Sequence, residues 1–236
     1  EKLLGRSPLI HPSSDVRFPI PTPPMTGRDA LPLLFRYSDT IVACSDAVAA
    51  NLRQYENTDR LQVIHSFVDN EQILRIHEHS DRAEVLQKQG LDPGYTWVCA
   101  CGNADWRKAP DIFVQIAARV SDPAIRFAWI GIREDDPMKS QLEYDAARLG
   151  ISDKVSWLSP TPAAVELINA MDLFLLCSRE DPFPLVMLEA ALCQKPVLAF
   201  KNTGGGDEFI EHDAGWQAAY LDVEQMAALI LSGYPV

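Results

Sequence analysis

Two carboxylates eight residues apart, Asp181 and Glu189, are the side chains whose type and spacing most strongly indicate a binding chemistry. Asp181 stands in a loop after the most apolar predicted strand. Glu189 falls about one turn into a helix predicted over Leu185–Cys193. The N–H groups of Leu185 and Val186 open that helix, where they have no intrahelical partner and attract anions. The segment is therefore predicted to bind sugar hydroxyls through its carboxylates and a phosphate through its N–H groups.

An acidic first helical turn is the ordinary alternative for this segment, because Asp and Glu offset the helix dipole there. That alternative explains Glu180 and Asp181 well. It does not explain Glu189, which is flanked by Leu188 and Ala190 in a mostly apolar helix.

A basic pair, Arg107 and Lys108, ends the loop that begins at Gly102-Asn103. The loop lies between a predicted strand and a predicted helix. Two cations beside a helix N-terminus form a plausible anion site, since the helix dipole adds to their charge. A solvated loop pair remains an equally open alternative. The loop has no Gly-x-Gly-x-x-Gly pattern, which disfavours a nicotinamide dehydrogenase.

Glycines follow two other predicted strands. Three of them, in Asn202–Glu208, would let the backbone approach a ligand closely, although a flexible turn explains them equally well. Gly131 follows the strand that ends at Ile130 and is either a ligand contact or only a strand terminator.

The charge of the protein excludes one class of partner. The chain of 236 residues carries a net charge of −12, and residues 1–65 are neutral, so the acidity falls in the remainder. An acidic domain does not attract polyphosphate through its overall field, and nucleic acid is therefore not an expected partner. Any phosphate must be held by a few placed groups.

The cysteines and histidines indicate no metal or disulfide. Cys99 and Cys101 are expected on opposite faces of a strand, an arrangement that suits neither a disulfide nor a shared metal. All five cysteines are interpreted as reduced core thiols of a cytosolic protein. His77 and His79 flank Glu78 without a third ligand and are assigned to a surface helix.

Alternating strands and helices indicate the fold. Six prolines within residues 7–27 predict a loop, and a domain junction is placed at 65/66. From residue 96 onward, apolar strands alternate with amphipathic helices, which predicts a doubly wound, Rossmann-like parallel sheet covered on both faces. The predicted organisation is α/β: a partial α/β segment over 1–65 and a Rossmann-like domain over 66–236. The predicted strands are 96–101, 126–130, 155–158, 172–177 and 196–200, and the predicted helices are 110–120, 136–149, one opening at Thr161-Pro162, 185–193 and 224–231.

Several segments, in order, resemble motifs of the group-1 (family 4) retaining glycosyltransferases of the GT-B fold. The segment 181–189 (DPFPLVMLE) is similar to the family's acid-x7-Glu signature, EGFGLVxLEA. The loop 102–108 falls at the family's phosphate-binding loop. The resemblance covers roughly residues 30–232, and its other segments are 38–45, 63–69, 191–197 and 204–206.

This resemblance implies that residues 66–236 form a nucleotide-sugar-binding domain and that residues 1–65 are part of an acceptor-side domain. It also implies roles for the motif residues. Lys108 would contact the donor diphosphate with Arg107 as a helper, Glu189 would hold the ribose hydroxyls, and Asp181 would accept from hydroxyls of the transferred sugar. Asp181 and Glu189 are thereby the candidates for the catalytic centre. The other implied donor contacts are Gly102, Asn103, Gly131, Leu158, Ser159, Phe183, Pro184, Leu185 and Val186, of which Leu158 and Ser159 would border the nucleobase.

Four motif positions depart from the family's pattern. Asp181 stands where the family has Glu, and Pro184 replaces a glycine and lacks the N–H of that position. Asn103 replaces an arginine, and Ala109 replaces the glycine after the lysine. These changes bear on which donor is bound.

The activity implied by the resemblance is transfer of a sugar, with retention, from a nucleotide-diphosphate sugar to a carbohydrate or lipid-linked acceptor in polysaccharide biosynthesis. No cofactor or metal is required in that family. The expected location is the cytoplasm or the inner face of the membrane, with peripheral membrane association in the full-length protein.

The length of the chain qualifies that expectation. Only about 65 residues precede the hinge, so the chain is expected to be the donor-binding portion of a longer protein, inactive alone. The alternatives are a non-catalytic nucleotide-sugar-binding module and, less favoured, a nucleotide-sugar epimerase, because epimerases use a different acid and histidine set.

Overall fold

The computed structural model of the chain describes residues 27–210 and 214–233. The chain divides into two compact units, with the division after Ser66. The proline-rich loop predicted over residues 7–27 lies outside the described residues, apart from Gly27.

The first unit is a small α/β segment, as predicted. It contains helix α1 (Gly27–Tyr37), strand β1 (Ile41–Ala43), helix α2 (Asp46–Arg53) and strand β2 (Leu61–Val63). The two strands pair in parallel. Their apolar residues and those of both helices form one buried cluster, which consists of Leu31, Leu34, Phe35, Ile41, Ala43, Val48, Ala49, Leu52 and Leu61.

The second unit is built on a six-stranded parallel sheet with the order β5-β4-β3-β6-β7-β8. This confirms the predicted doubly wound α/β fold. The strands are β3 (Thr96–Cys101), β4 (Ile125–Ile130), β5 (Val155–Leu158), β6 (Leu173–Leu176), β7 (Val197–Phe200) and β8 (Trp216–Ala218). The helices are α3 (Asn70–His79), α4 (Arg82–Lys88), α5 (Pro110–Arg119), α6 (Pro137–Arg148), α7 (Ala164–Ala170), α8 (Leu185–Leu192), α9 (Gly206–Phe209) and α10 (Val223–Leu231).

Apolar helices cover both faces of this sheet. On one face, Phe113 and Ile116 of α5 pack with residues of α6 and α10 against strand side chains such as Trp129. On the other face, Met187 and Ala190 of α8 pack with residues of α4 and α7. The central strands β6 and β7 are buried along their whole length, which explains their unbroken apolar runs.

The structure corrects the predicted helix opening at Thr161-Pro162. Helix α7 begins at Ala164, and its N-cap, Ala163, makes no side-chain hydrogen bond. The Thr161 hydroxyl instead accepts from the N–H of Ala163 at 3.1 Å, so it closes a turn before the helix.

The expected placement of two cysteines was also wrong. Cys99 is buried in the cluster beneath α8, and Cys101 packs against the same cluster. Residues two apart on a strand share a face, and the expectation of opposite faces was an error of strand geometry. Of the five cysteines, Cys99, Cys177 and Cys193 are buried, whereas Cys44 and Cys101 are only half-buried.

The surface helix expected around the histidines is present as α3. The His77 ring nitrogen Nδ1 lies 2.9 Å from Asn169 Oδ1, and the His79 Nδ1 lies 2.8 Å from the carbonyl oxygen of Arg75. Both histidines therefore have hydrogen-bond partners within the second unit.

The described part of the chain contains no helix that is both long and apolar enough to cross a membrane.

Candidate functional site

The strand order reverses between β3 and β6, and this switch point is where an open α/β sheet binds ligands. The register joins these two strands at only two residue pairs, Val98–Leu173 and Cys99–Phe174. The chain then leaves β3 toward α5 on one face and β6 toward α8 on the other. A crevice therefore opens between the two loops at the carboxyl end of the sheet.

An ion pair spans this crevice. The Nζ of Lys108, from the loop after β3, lies 2.5 Å from Oδ2 of Asp181, from the loop after β6. The Ser178 hydroxyl lies 3.4 Å from the same carboxylate oxygen. The side chains of Lys108 and Asp181 are only 19% and 6% exposed, so the pair is shielded from water. The structure thus brings the predicted phosphate contact and the predicted sugar contact together.

Two glycines allow the loops around this pair to approach each other. A Cβ on Gly131 would lie 2.7 Å from the carbonyl oxygen of Gly102, a distance that side chains do not tolerate. A Cβ on Gly102 would meet the aliphatic stem of Lys108 at 3.3 Å. The Gly131 N–H donates to the carbonyl oxygen of Leu158 at 2.9 Å, joining the ends of β4 and β5.

The loop after β7 closes on Asp181 from the other side. The Asp181 N–H donates to the carbonyl oxygen of Thr203 at 2.7 Å, and the Gly205 N–H donates to that of Asp181 at 3.0 Å. Gly204 has φ +127°, and a Cβ there would lie 2.1 Å from the Asp181 carbonyl oxygen. The glycine run therefore serves a close approach between two backbones at the predicted acid.

We expect Gly204→Ala to destabilise the protein more than an alanine at an unobstructed glycine does. Gly90 is the matched control, because its φ of +72° is also left-handed but nothing lies within 4 Å of an added Cβ. Gly90→Ala should lower the free energy of unfolding by about 1–2 kcal/mol, the cost of the left-handed backbone. Gly204→Ala should cost about 1–3 kcal/mol more, because the clash adds overpacking. Equal losses in urea unfolding would contradict this packing.

Glu189 is a half-buried carboxylate on α8. It has no hydrogen-bond or ion-pair partner among the residues that the structure describes. Burial raises the pKa of this carboxyl above its ordinary value. Burial also raises the pKa of the Cys101 thiol to about 11, helped by the charge of Glu189 and opposed by that of Lys108. The charges of Glu189 and Lys108 thus both influence the thiol of Cys101, the last residue of β3.

The N-terminus of α8 carries backbone N–H groups that have no partner within the helix. Pro184 is the N-cap and offers no N–H, in keeping with its replacement of a family glycine. The N–H groups of Leu185 and Val186 make no hydrogen bond to another residue in the described ranges. These two groups are placed to meet an anion.

The remaining predicted contacts are more dispersed. Asn103 and Ser159 are exposed, Leu158 is buried, and Phe183 is half-buried. The guanidinium of Arg107 lies 3.7 Å from the Asp105 carboxylate. The roles of these residues in binding stay predictions.

Two side chains that tie the crevice together were not predicted as site residues. Arg179 donates to both carboxylate oxygens of Asp111, at 2.9 and 2.6 Å. A signal was available in the sequence, since Arg179 follows an entirely apolar strand, where a charged side chain needs a partner.

The fold and this crevice define a Rossmann-like α/β domain of the kind found in GT-B glycosyltransferases. Residues 81–232 match the sequence model of the family described as glycosyl transferases group 1. The chain belongs to this family.

Similar proteins agree with the assignment. A D-inositol 3-phosphate glycosyltransferase of Segniliparus rotundus is 31% identical over 174 residues, which cover 71% of this chain and 38% of the relative. One of the same name from Rhodococcus jostii is 34% identical over 185 residues, covering 70% and 39%. The chain thus spans less than half the length of these relatives.

A solved structure shares the fold. Anabaena HepE, crystallised in complex with UDP and glucose, superimposes with a TM-score of 0.77 over 87% of this chain and 56% of its own. The two sequences are 24% identical.

Proposed function

We propose that this chain binds the nucleotide-diphosphate sugar donor of a glycosyltransferase that transfers the sugar with retention. In this proposal Lys108 and the N–H groups of α8 hold the diphosphate, Glu189 holds the ribose hydroxyls, and Asp181 accepts from the transferred sugar. The acceptor is a carbohydrate or lipid-linked molecule. Residues 66–236 serve as the donor-binding domain and residues 1–65 as part of the acceptor-side domain.

The observation that carries the proposal is the meeting of Lys108 and Asp181 across the switch point. Glu189, whose carboxylate has no hydrogen-bond or ion-pair partner among the described residues, lies on the helix that follows Asp181. A lysine, free helix N–H groups and two carboxylates supply what a sugar nucleotide needs. The cation and the N–H groups suit phosphate, and the carboxylates accept from vicinal hydroxyls. Because the protein has a net charge of −12, Lys108 is not one of many cations on a basic surface, and its position at the crevice is specific.

The similar proteins indicate which ligands to test. HepE is described with UDP and glucose, so UDP-glucose is the first donor to try. The relatives are named D-inositol 3-phosphate glycosyltransferases, so that compound is the first acceptor for the full-length protein.

We expect a nucleoside diphosphate to stabilise this chain. At a ligand concentration of 100 times the dissociation constant, linkage raises the free energy of unfolding by about 2.7 kcal/mol. The measurement is a thermal-shift screen with UDP, GDP and ADP, with the corresponding nucleosides as controls. The diphosphate should shift the midpoint further than its nucleoside, because only the diphosphate reaches Lys108.

Absence of any shift at millimolar concentration would overturn the proposal. Binding of a sugar nucleotide without transfer by the full-length protein would instead support the non-catalytic binding module.

A further inference from the structure

Arg179 contacts the loop that carries Lys108 in three ways. Its backbone N–H donates to the carbonyl oxygen of Arg107 at 2.7 Å. Its Nη1 donates to the carbonyl oxygen of Trp106 at 3.0 Å, and its guanidinium carbon lies 5.4 Å from the centre of the Trp106 ring. A residue of the β6–α8 loop thus holds the β3–α5 loop by main chain, side chain and ring.

The same guanidinium holds the first turn of α5. The planar guanidinium forms a bidentate pair with the carboxylate of Asp111, whose two oxygens it matches in geometry. The Arg179 side chain is only 14% exposed. Partial burial alone would raise the pKa of the Asp111 carboxyl. The hydrogen bonds and charge of Arg179, together with hydrogen bonds from the backbone N–H groups of Asp111 and Ile112, outweigh that effect, so the pKa of Asp111 lies below its ordinary value.

The contacts of Arg179 connect the β3–α5 loop and the β6–α8 loop beyond the last paired residues of β3 and β6. The register of β3 with β6 ends at Cys99–Phe174, two residues before the last residue of each strand. Lys108 directly follows Arg107, and Asp181 comes two residues after Arg179. Arg179 and the residues that it contacts are therefore close in sequence to both Lys108 and Asp181, the two members of the ion pair that spans the crevice.

We propose that Arg179 is a positioning residue that fixes Lys108 relative to Asp181 through Asp111 and the β3–α5 loop, and so sets the geometry in which a diphosphate binds. The inference rests on the proposed function, since it assumes that the crevice binds a diphosphate. Arg179 itself does not contact the ligand in this proposal. Its guanidinium is already occupied by Asp111 and Trp106.

The test substitutes Arg179→Lys, which keeps the charge but cannot form the bidentate pair. Calorimetric titration measures affinity for whichever of UDP, GDP and ADP binds the parent protein most tightly, and for its nucleoside. We expect the affinity for the diphosphate to fall about tenfold, the effect of losing roughly one well-placed hydrogen bond to phosphate. The affinity for the nucleoside should change less than about twofold. In the proposed site the nucleoside is held by Glu189 on α8, whereas Arg179 positions the β3–α5 loop.

Two further variants separate positioning from other roles. Arg119→Lys is the matched control. Arg119 Nε pairs with Glu224 at 2.5 Å between α5 and α10, away from the crevice, and diphosphate affinity should be unchanged.

Asp111→Asn removes the carboxylate partner of Arg179 and leaves Arg179 in place. It should weaken diphosphate binding as Arg179→Lys does, and the double variant should be no weaker than either, since both break one connection.

The outcomes are distinguishable. A parent protein that binds none of the three diphosphates would overturn the proposed function and this inference with it. A parent that binds, with Arg179→Lys behaving as Arg119→Lys does, would overturn the inference alone. If Asp111→Asn left affinity unchanged or tightened it while Arg179→Lys weakened it, Arg179 would be a direct ligand contact and the positioning role would be wrong.

Discussion

Replacing Lys108 by methionine is expected to destabilise the protein and to weaken diphosphate binding at the same time. Methionine retains the apolar stem that packs on Gly102, so the change removes mainly the ammonium group. The Asp181 carboxylate would then be left in a site where its side chain is 6% exposed, with the Ser178 hydroxyl at 3.4 Å. Breaking a buried pair by removing one partner costs roughly 3–5 kcal/mol, and we expect about 3 kcal/mol in urea unfolding.

The double variant Lys108→Met/Asp181→Asn is the control for that stability effect. Because it removes both charges, its free energy of unfolding should return to within about 1 kcal/mol of the parent. Equal destabilisation in the single and double variants would show that the ion pair is not the cause.

The binding effect of Lys108→Met should be confined to ligands with phosphate. A charge-assisted hydrogen bond contributes roughly 1.5–3 kcal/mol, which corresponds to a loss of about 10- to 100-fold in diphosphate affinity. The nucleoside lacks the group that Lys108 would contact, and its affinity should stay near that of the parent. Equal losses for both ligands would contradict a phosphate role for Lys108.

The central elements of the sheet could be predicted closely because their residues are buried on both faces. Strand β3 was predicted at its observed bounds, Thr96–Cys101, and β6 and β7 were each predicted to within one residue of theirs. Helix α4 and strand β8 were not predicted. α4 is short and mostly exposed, and β8 has three residues of which two are half-buried, so neither carries a strong apolar pattern.

The candidate site could be predicted as a set of loops but not as a set of contacts. Ligands bind beyond the carboxyl ends of parallel strands, so residues after strands could be singled out from the sequence. Lys108 and Asp181 meet across 73 residues of chain, and Arg179 meets Asp111 across 68. Such contacts depend on β3 and β6 being neighbours, and strand order is a property of the whole sheet that no local pattern reports.

Glu189→Gln is expected to change affinity and stability in opposite directions. The carboxylate is half-buried without a hydrogen-bond partner among the described residues, and burial raises its pKa. Since the folded-state pKa lies above the unfolded one, ionisation of Glu189 opposes folding. The resulting loss of unfolding free energy is absent at acidic pH. It grows as the pH rises from the unfolded-state pKa of Glu189 to its folded-state pKa. Glutamine removes the charge, so the variant should match the parent in acid and be the more stable protein at neutral pH.

The affinity of Glu189→Gln for ribonucleotides should fall by about tenfold or more. A neutral amide oxygen replaces a carboxylate that would accept charge-assisted hydrogen bonds worth roughly 1.5–3 kcal/mol each. The decisive ligand is the 2′-deoxy form of the diphosphate that binds most tightly. The parent should prefer the ribose form, and Glu189→Gln should lose most of that preference.

A matched exposed acid separates this effect from a general change of charge. Glu166 lies exposed on α7, and Glu166→Gln should alter neither the ribose preference nor the stability measurably. An unpartnered carboxylate in a protein interior is a stability cost, and such costs persist at sites where the group meets a ligand. If Glu189→Gln gained stability at neutral pH and kept its preference for ribose, the carboxylate would have no role in nucleotide binding. A loss of stability in place of the gain would instead show that Glu189 has a partner in the folded protein.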